Sequence, residues 1–405
     1  MKYIIYYSVL LLVLVACGQR DKKSVDYDAN VKVIQIKGMS SHSTLNYSDV
    51  YSKVHYVPLE FTADSQIGNI DIIEITNSGN YIIFDRRNGS VVQFDKDGKY
   101  INNIGQMGHG PGEYVSPEIV RYNMFTDQII VYDGLKHSLL HYDTNGNTLS
   151  TVQLHKYICN FGIVDSTCYV IYANHLDDLN VGETAYNFEI IDADGGILKQ
   201  FEPYNREKMH FNPSSNNVFW RSNGKLLCLK NYYPYVYTVT KNEIKPVYRI
   251  DSEFGQFSTE WLDHRVSVSE IEEEMTRMKY SDLWMFGECA NKYVMMVNFA
   301  NEALLTIVMD KHDKEKIYMG DFLNNDICGL VSASPSYMMN EEIYGIIDSD
   351  QFMHLEDIFM DQQKYTQYAN EYQKVRGYKI TDDDREIIHK LAKSKNPVIQ
   401  VCTLK

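Results

Sequence analysis

One strand-pair pattern recurs at intervals of about 48 residues, and no other feature restricts the possible folds of this chain so strongly. Tyr81-Ile82-Ile83-Phe84-Asp85 is followed by Val91-Val92-Gln93-Phe94-Asp95 and then Lys96-Asp97-Gly98-Lys99. The same order returns as Ile129-Ile130-Val131-Tyr132-Asp133, Leu139-Leu140-His141-Tyr142-Asp143 and Thr144-Asn145-Gly146-Asn147. Asp85 to Asp133, Asp95 to Asp143 and Gly98 to Gly146 are all offset by 48. A looser third copy has Tyr169-Val170-Ile171-Tyr172, Phe188-Glu189-Ile190-Ile191-Asp192 and Asp194-Gly195, with Asp143 to Asp192 at 49. Runs of β-branched and aromatic residues suit strands, and Asp-Gly or Asn-Gly supplies the positive φ that a tight hairpin needs. Strand pairs recurring at this period read as the blades of a propeller.

Poorer copies continue the series. Leu226-Leu227-Cys228-Leu229 pairs with Val236-Tyr237-Thr238-Val239, and Tyr293-Val294-Met295-Met296-Val297 with Leu304-Leu305-Thr306-Ile307-Val308. In the last copy, Gln351-Phe352-Met353-His354-Leu355 is expected to pair with Pro397-Val398-Ile399-Gln400-Val401. Two stretches break the pattern with helical signals. Ser269 and Glu272 form a capping-box pattern ahead of Ile271, Met275 and Met278 on one face. Residues 357–375 are rich in Gln, Tyr and Glu, and Thr381-Asp382-Asp383-Asp384 begins another helix, with carboxylates at its positive end, running to about Lys393. The predicted fold is all-β, a six-bladed β-propeller over 31–405 with helical insertions near 258–284 and 358–395. An N-terminal strand near 31–36 or 54–59 is expected to join the blade that ends at 397–404. The ring is then closed by the N- and C-terminal strands and no sheet edge is left open.

Ahead of this domain, Lys2 precedes an apolar run too short to span a bilayer, which ends Leu14-Val15-Ala16-Cys17. This reads as a lipoprotein signal peptide over 1–16 with Cys17 as the lipidated residue, followed by a polar tether over 17–30. The implied location is the outer membrane, facing the periplasm or the surface, with the lipid as the membrane partner. The formal net charge of -15 argues against nucleic acid. Cys159, Cys168, Cys228, Cys289, Cys328 and Cys402 show neither CxxC nor zinc spacing. A Cys159–Cys168 bridge is permitted outside the cytoplasm, but isolated buried thiols are the preferred reading.

Gly105-Gln106-Met107-Gly108-His109-Gly110-Pro111-Gly112-Glu113-Tyr114, followed by Pro117, is similar to the loop of NHL-type propeller repeats. Tyr56-Val57-Pro58-Leu59-Glu60-Phe61-Thr62 and Asn396-Pro397-Val398-Ile399 resemble the N- and C-terminal blocks of the six-bladed β-propeller lipoproteins of Gram-negative bacteria, TolB-like or NHL-like. The resemblance implies a fold and an address and brings no reaction or catalytic residue with it.

The Gly-rich loop lacks the Gly-Lys-Ser/Thr ending of a phosphate loop, so it is expected to shape a crossover between blades, with His109, Glu113 and Tyr114 exposed or locking it. Asp95-Lys96-Asp97-Gly98 and Asp192-Ala193-Asp194-Gly195 echo calcium loops but lack the Glu at position twelve, and hairpin turns are expected instead. Arg86, Arg87 and Arg121 are expected just beyond strands, where a propeller's ligand face could be, although solvated loop charges are the preferred reading. His137 and His141 share the zincin spacing without its Glu. Tyr232-Tyr233-Pro234-Tyr235 suits either stacking on a sugar or peptide or strand-edge packing, and the Tyr365, Tyr368, Tyr372 stripe suits packing. No metal ligands, cofactor or catalytic residues are assigned. The expected function is an envelope lipoprotein whose propeller binds a small ligand or an envelope protein. The alternatives are a metal-dependent lyase or hydrolase acting in the channel, and a structural subunit of an outer-membrane complex.

Overall fold

The computed structural model describes residues 31–37, 43–175, 185–204, 218–231, 233–252, 281–299, 303–313 and 315–405, together with 269–270 and 273. The described chain opens with β1 (Lys32–Ile36), β2 (Thr44–Asn46), a single helical turn α1 (Tyr47–Val50) and β3 (Tyr51–Pro58). Blade one follows as β4 (Ile72–Ile75), β5 (Tyr81–Asp85), β6 (Ser90–Phe94) and β7 (Tyr100–Asn103). Blade two comprises β8 (Pro117–Asn123), β9 (Gln128–Asp133), β10 (Ser138–Tyr142) and β11 (Thr148–Gln153). Blade three is β12 (Asn160–Ile163), β13 (Cys168–Tyr172), β14 (Ala185–Asp192) and β15 (Ile197–Tyr204). Blade four is β16 (Phe219–Ser222), β17 (Lys225–Leu229), β18 (Tyr235–Val239) and β19 (Ile244–Ser252). Blade five is β20 (Ser281–Glu288), β21 (Lys292–Phe299), β22 (Ala303–Asp310) and β23 (Ile317–Gly320), after which β24 (Phe322–Asn324) pairs in parallel with β2. Blade six orders β25 (Pro335–Met339), β26 (Glu342–Ile347) and β27 (Val398–Leu404) before β3 as its fourth strand. The six-bladed propeller predicted from the repeat is the fold.

Each sheet is sandwiched between its neighbours, so its middle strands are apolar on both faces, as in the fully buried Ile129 to Tyr132 run. The repeated aspartates explain the regularity. Asp85 and Asp133 end the second strand of blades one and two and are fully buried. Asp85 accepts from the Gly68 N–H (2.6 Å) in the incoming loop and the Asn88 N–H (3.0 Å) in the next turn. Asp133 does the same with Val115 (2.6 Å), Leu135 (3.0 Å) and Lys136 (3.0 Å). One carboxylate thus satisfies donors that two loops would otherwise bury unpaired. Asp95, Asp143 and Asp192 instead accept backbone N–H groups of their own hairpin turns, as expected of turns rather than calcium loops. Gly146 closes its turn at φ +84°, and a Cβ there would collide with the Asn103 carbonyl at the end of the preceding blade's outer strand.

β27 pairs with β3 from Val398↔Pro58 to Leu404↔Tyr51, so the strand at 54–59 closes the ring. β1 serves a different purpose: it adds in parallel to β19 as a fifth strand of blade four, burying Ile34 and Ile36. The N-terminal segment therefore forms a belt running across blades four, five and six. Asn396, fully buried, explains why the two terminal motifs occur together. Its amide donates to the Glu60 (2.8 Å) and Ser65 (2.6 Å) carbonyls and its oxygen accepts from the Ile67 N–H (2.9 Å).

Two expectations are corrected. Gln351 to Leu355 is not a strand; it lies in α2 (Ser349–Met360), and β27 pairs with β26 instead. Phe352, Leu355 and Phe359 are buried at helical spacing, a period that a five-residue window does not show. The second insertion therefore begins earlier than predicted and continues as α3 (Gln362–Arg376) and α4 (Asp382–Leu391). α4 starts in a Thr381–Asp384 capping box, and buried Asp384 also accepts from the Gly329 N–H (2.7 Å). Of the insertion predicted at 258–284, residues 281–284 belong to β20. The remainder lies outside the described residues except Ser269, Glu270 and Glu273, which are helical. The six cysteines among the described residues are free thiols, so Cys159 and Cys168 are not bridged. No helix among the described residues is long and apolar enough to cross a membrane.

Candidate functional site

Strand direction alternates within a blade, so the crossover loops and the turns between second and third strands share one side of the disc. Helices α2–α4 replace such a turn in blade six and stand on that side. The Gly-rich segment is the crossover from blade one to blade two, as expected. Glu113 holds its shape: its carboxylate accepts from the Gly110 N–H (2.7 Å) and the Gln106 amide (2.5 Å), which keep the carboxyl below its ordinary value. Tyr114 is buried and donates to the Ile104 carbonyl (3.2 Å), and burial pushes its hydroxyl up to about 12. His109, Arg86 and Arg87 are exposed on this side, and Arg86 donates to the Glu118 carbonyl (3.2 Å).

Arg121 does not lie beyond a strand. It is buried within β8, the innermost strand of blade two, because Pro117 opens that strand, where no ladder donor is missed. Its guanidinium donates to Glu74 on β4 (3.3 Å), to the Asn160 side chain (3.0 Å) and to the Phe161 carbonyl (3.3 Å). Burial raises the Glu74 carboxyl even though Arg121 opposes the shift. This group joins the inner ends of blades one, two and three and is a structural fastening.

Three of the first strands are irregular. The first strands of blades two, five and six each carry a register shift, leaving Glu118, Trp284 and Ser336 as the extra residues. A bulged residue drops out of the alternation that directs its neighbours to the two sheet faces, and so is re-aimed. Trp284 shows the effect most clearly. Leu283 packs into the core shared with blade four and Met285 into the core shared with blade six, while Trp284 between them is 46% exposed. Blade five is also drawn back. Elsewhere neighbouring first strands meet, but here β16 of blade four meets β25 of blade six, and β20 lies level with β17. Asn231 donates to Asp282 (3.4 Å) between blades four and five, and on blade six the Ser336 hydroxyl donates to the Ser334 carbonyl (3.4 Å). Across the ring, the Glu118 carboxylate accepts from Tyr157 (2.9 Å).

The remaining candidates fall into structural places. His137 sits in a turn against Tyr157, while His141 faces Gln128 from β10. Tyr365, Tyr368 and Tyr372 pack along α3, with Phe359 against the first two. Lys230 lies over the Tyr233 ring (4.0 Å) and pairs with Glu202 (2.8 Å). In blade three the nearly fully buried Lys156 (3.0 Å) and the Gln200 amide (2.8 Å) meet one oxygen of Glu189, and His155 meets the other (2.9 Å). Burial alone would raise the Glu189 carboxyl, but these partners outweigh it and hold it low. No group of three or more His, Cys, Asp or Glu placed to hold a metal ion occurs among the described residues. Sequence reasoning found the crossover residues but missed Glu118, Trp284 and Ser336. Asp282-Leu283-Trp284-Met285-Phe286 reads as an ordinary buried run, and a bulge leaves no mark in it.

The family described as "Domain of unknown function (DUF4934)" matches residues 31–403. No curated protein matches the sequence. Among solved structures, a Bacteroides fragilis protein described as exported is 16% identical with a TM-score of 0.68, over 92% of this chain and 100% of its own. A member of the duf4221 family from Bacteroides vulgatus is 11% identical with a TM-score of 0.49, over 88% and 97%. The first likeness is one of fold.

Proposed function

We propose that this chain, which belongs to the DUF4934 family, is an exported β-propeller lipoprotein that binds a ligand or partner protein of the cell envelope at its axis, without catalysis. The observation that carries the binding reading is the trio of bulges at Glu118, Trp284 and Ser336 on first strands. Packing six blades does not require them, and bulges on a rigid scaffold aim side chains at what enters from outside. The address rests on the sequence: a signal peptide over 1–16, lipidated Cys17, a tether over 17–30, and the resemblance to TolB-like or NHL-like lipoproteins. The fold shared with a Bacteroides protein described as exported supports it. The acidic balance disfavours nucleic acid as a partner.

Two measurements test the two halves of the reading. Cys17→Ala is expected to move the protein from the membrane to the soluble fraction, and labelled fatty acid entering that variant would refute the anchor. For binding, the mature chain is heated with fractions of an envelope extract, because a ligand of the native state raises the midpoint by mass action. A fraction that shifts the native chain but not Glu118→Ala supports an axial site. If no fraction shifts the native chain, the binding reading fails.

A further inference from the structure

We infer that the side of the disc away from the crossovers seats on the lipid surface that holds the anchor, with apolar side chains of blades one to three dipping into it. The inference rests on Cys17 being lipidated and adds the orientation of the domain. The turns joining first to second and third to fourth strands share this side. Just past the third-to-fourth turns, the outer strands of blades one, two and three each carry a register shift, with Ile101, Leu149 and Leu198 as the extra residues. Each is the second residue of its strand, and they follow one another at 48 and 49, the offsets of the turn aspartates. All three are exposed, at 43, 50 and 56%. Ile197 beside Leu198, and Met124 and Phe125 in the turn after the first strand of blade two, are exposed on the same side.

Edge protection does not explain the aliphatics. A bulge blunts an open sheet edge whatever side chain it carries. The outer strand of blade six shows this: its extra residue, again the second of the strand, is Ser52, whose hydroxyl donates to the Thr403 carbonyl (3.2 Å). Singly scattered apolar residues need no explanation, but one position filled three times running by a large exposed aliphatic does. Positions related by the blade repeat lie at one height along the axis, with polar turns between them. A flat partner touches all of them at once, whereas a peptide or globular partner needs a continuous patch. The course of the chain says which flat partner. β1 runs parallel to β19, so the chain enters the propeller travelling from the turn side toward the crossover side. The 14 residues of the tether span about 50 Å at most. An anchored domain therefore meets the bilayer as a tethered neighbour, and weak apolar contacts suffice. The crossover side, with the Glu118 bulge, then faces away from the membrane.

The test is fluorescence quenching in the lipidated mature chain, reconstituted into phosphatidylcholine vesicles brominated on their acyl chains. This lipid has no net charge, so attraction between charges plays no part. Leu149→Trp is expected to be quenched at least about threefold more than Leu135→Trp, each read against the native chain. Leu135 is the fair comparison, because it lies in a turn on the crossover side and is 73% exposed, so exposure alone would favour its quenching. Both positions are exposed, so the thermal midpoints of the two variants should stay close to that of the native chain. Equal quenching, stronger quenching of Leu135→Trp, or none at either position overturns the inference. Sedimentation equilibrium of the unlipidated Cys17→Ala chain is expected to show a monomer. A dimer that the triple variant Ile101→Ser, Leu149→Ser, Leu198→Ser dissolves would overturn the lipid surface and assign the aliphatics to a second copy. A native chain that takes up no fatty acid refutes the anchor and this inference with it, whereas an unquenched Leu149→Trp in a labelled chain removes only the orientation.

Discussion

In blades one and two, Asp85 and Asp133 fasten the loop before each blade to a turn inside it, over sequence separations of two to eighteen residues. Blade six has a different kind of fastening. Tyr47 donates to the Ala333 carbonyl (3.0 Å) and to Gln400 (2.8 Å), and Gln400 also donates to the Val331 carbonyl (2.8 Å), while Asn396 reaches back to Glu60 and Ser65. Apart from Gln400 to Val331, these bonds span between 286 and 353 residues. The same architecture is thus maintained by local bonds on one side of the ring and by distant ones on the other. Local fastening can form as each blade forms, whereas the distant kind must wait for the chain ends to meet.

Removing 396–405 should break the contrast most severely. It deletes β27, whose Val398, Ile399, Val401, Cys402 and Leu404 are buried between two strands of blade six. A loss above ~5 kcal/mol is expected, comparable to the whole stability of many domains. Thermal unfolding beside the intact chain reads it, and an unchanged midpoint would show that the ring closes elsewhere.

Asp133→Ala should cost ~3 kcal/mol in urea unfolding, because backbone donors lose their buried acceptor. Asp348 directly follows the second strand of blade six but is exposed and caps no N–H with its side chain, so Asp348→Ala should change stability by less than ~0.5 kcal/mol. Equal costs would erase the distinction drawn between these blades.

Two turn glycines sharpen it further. Gly146→Ala meets both a strained φ and the Asn103 carbonyl, and should cost ~3 kcal/mol. Gly224, in blade four at φ +74°, has nothing within 4 Å of the position a methyl would take, so Gly224→Ala should cost only ~1 kcal/mol. Urea midpoints for the two variants give the ratio directly.

The smallest effect concerns blade three. Glu189 titrates below its ordinary 4.5 in the folded chain, so its pairing stabilises fully above that value and fades as pH falls through the lower one. Glu189→Gln should flatten the acid limb of the stability profile below about pH 4.5 while leaving the slope above it unchanged. A steepened acid limb would reverse the sign assigned here.

The contrast also explains what can be read from the sequence. The Asp-to-Asp offset of 48 is visible because local fastening repeats its residues at fixed spacing. The terminal blocks at 56–62 and 396–399 are visible as motifs, but their joining through one buried amide is not, since no spacing relates Asn396 to Ser65. Gln351 to Leu355 reads wrongly as a strand because five apolar-rich residues fit either period. Arg121 reads as lying outside its strand because the Gly-rich loop masks where β8 begins. The crossover residues of the candidate site are legible, but the bulged ones are not, because a bulge is a property of two strands in register.

The belt formed by β1, β2 and β3 also sets a path for mechanical load. Tension applied at the N-terminus enters first at β1, whose five residue pairs with β19 are parallel. A pull along the rim would strain all five pairs together, whereas a pull away from the disc would peel them singly. Only after β1 and the short β2 yield would force reach β3, the strand that holds the ring shut. The first two strands therefore act as strain relief, letting a tug at the leading end be absorbed on blades four and five before the closure feels it.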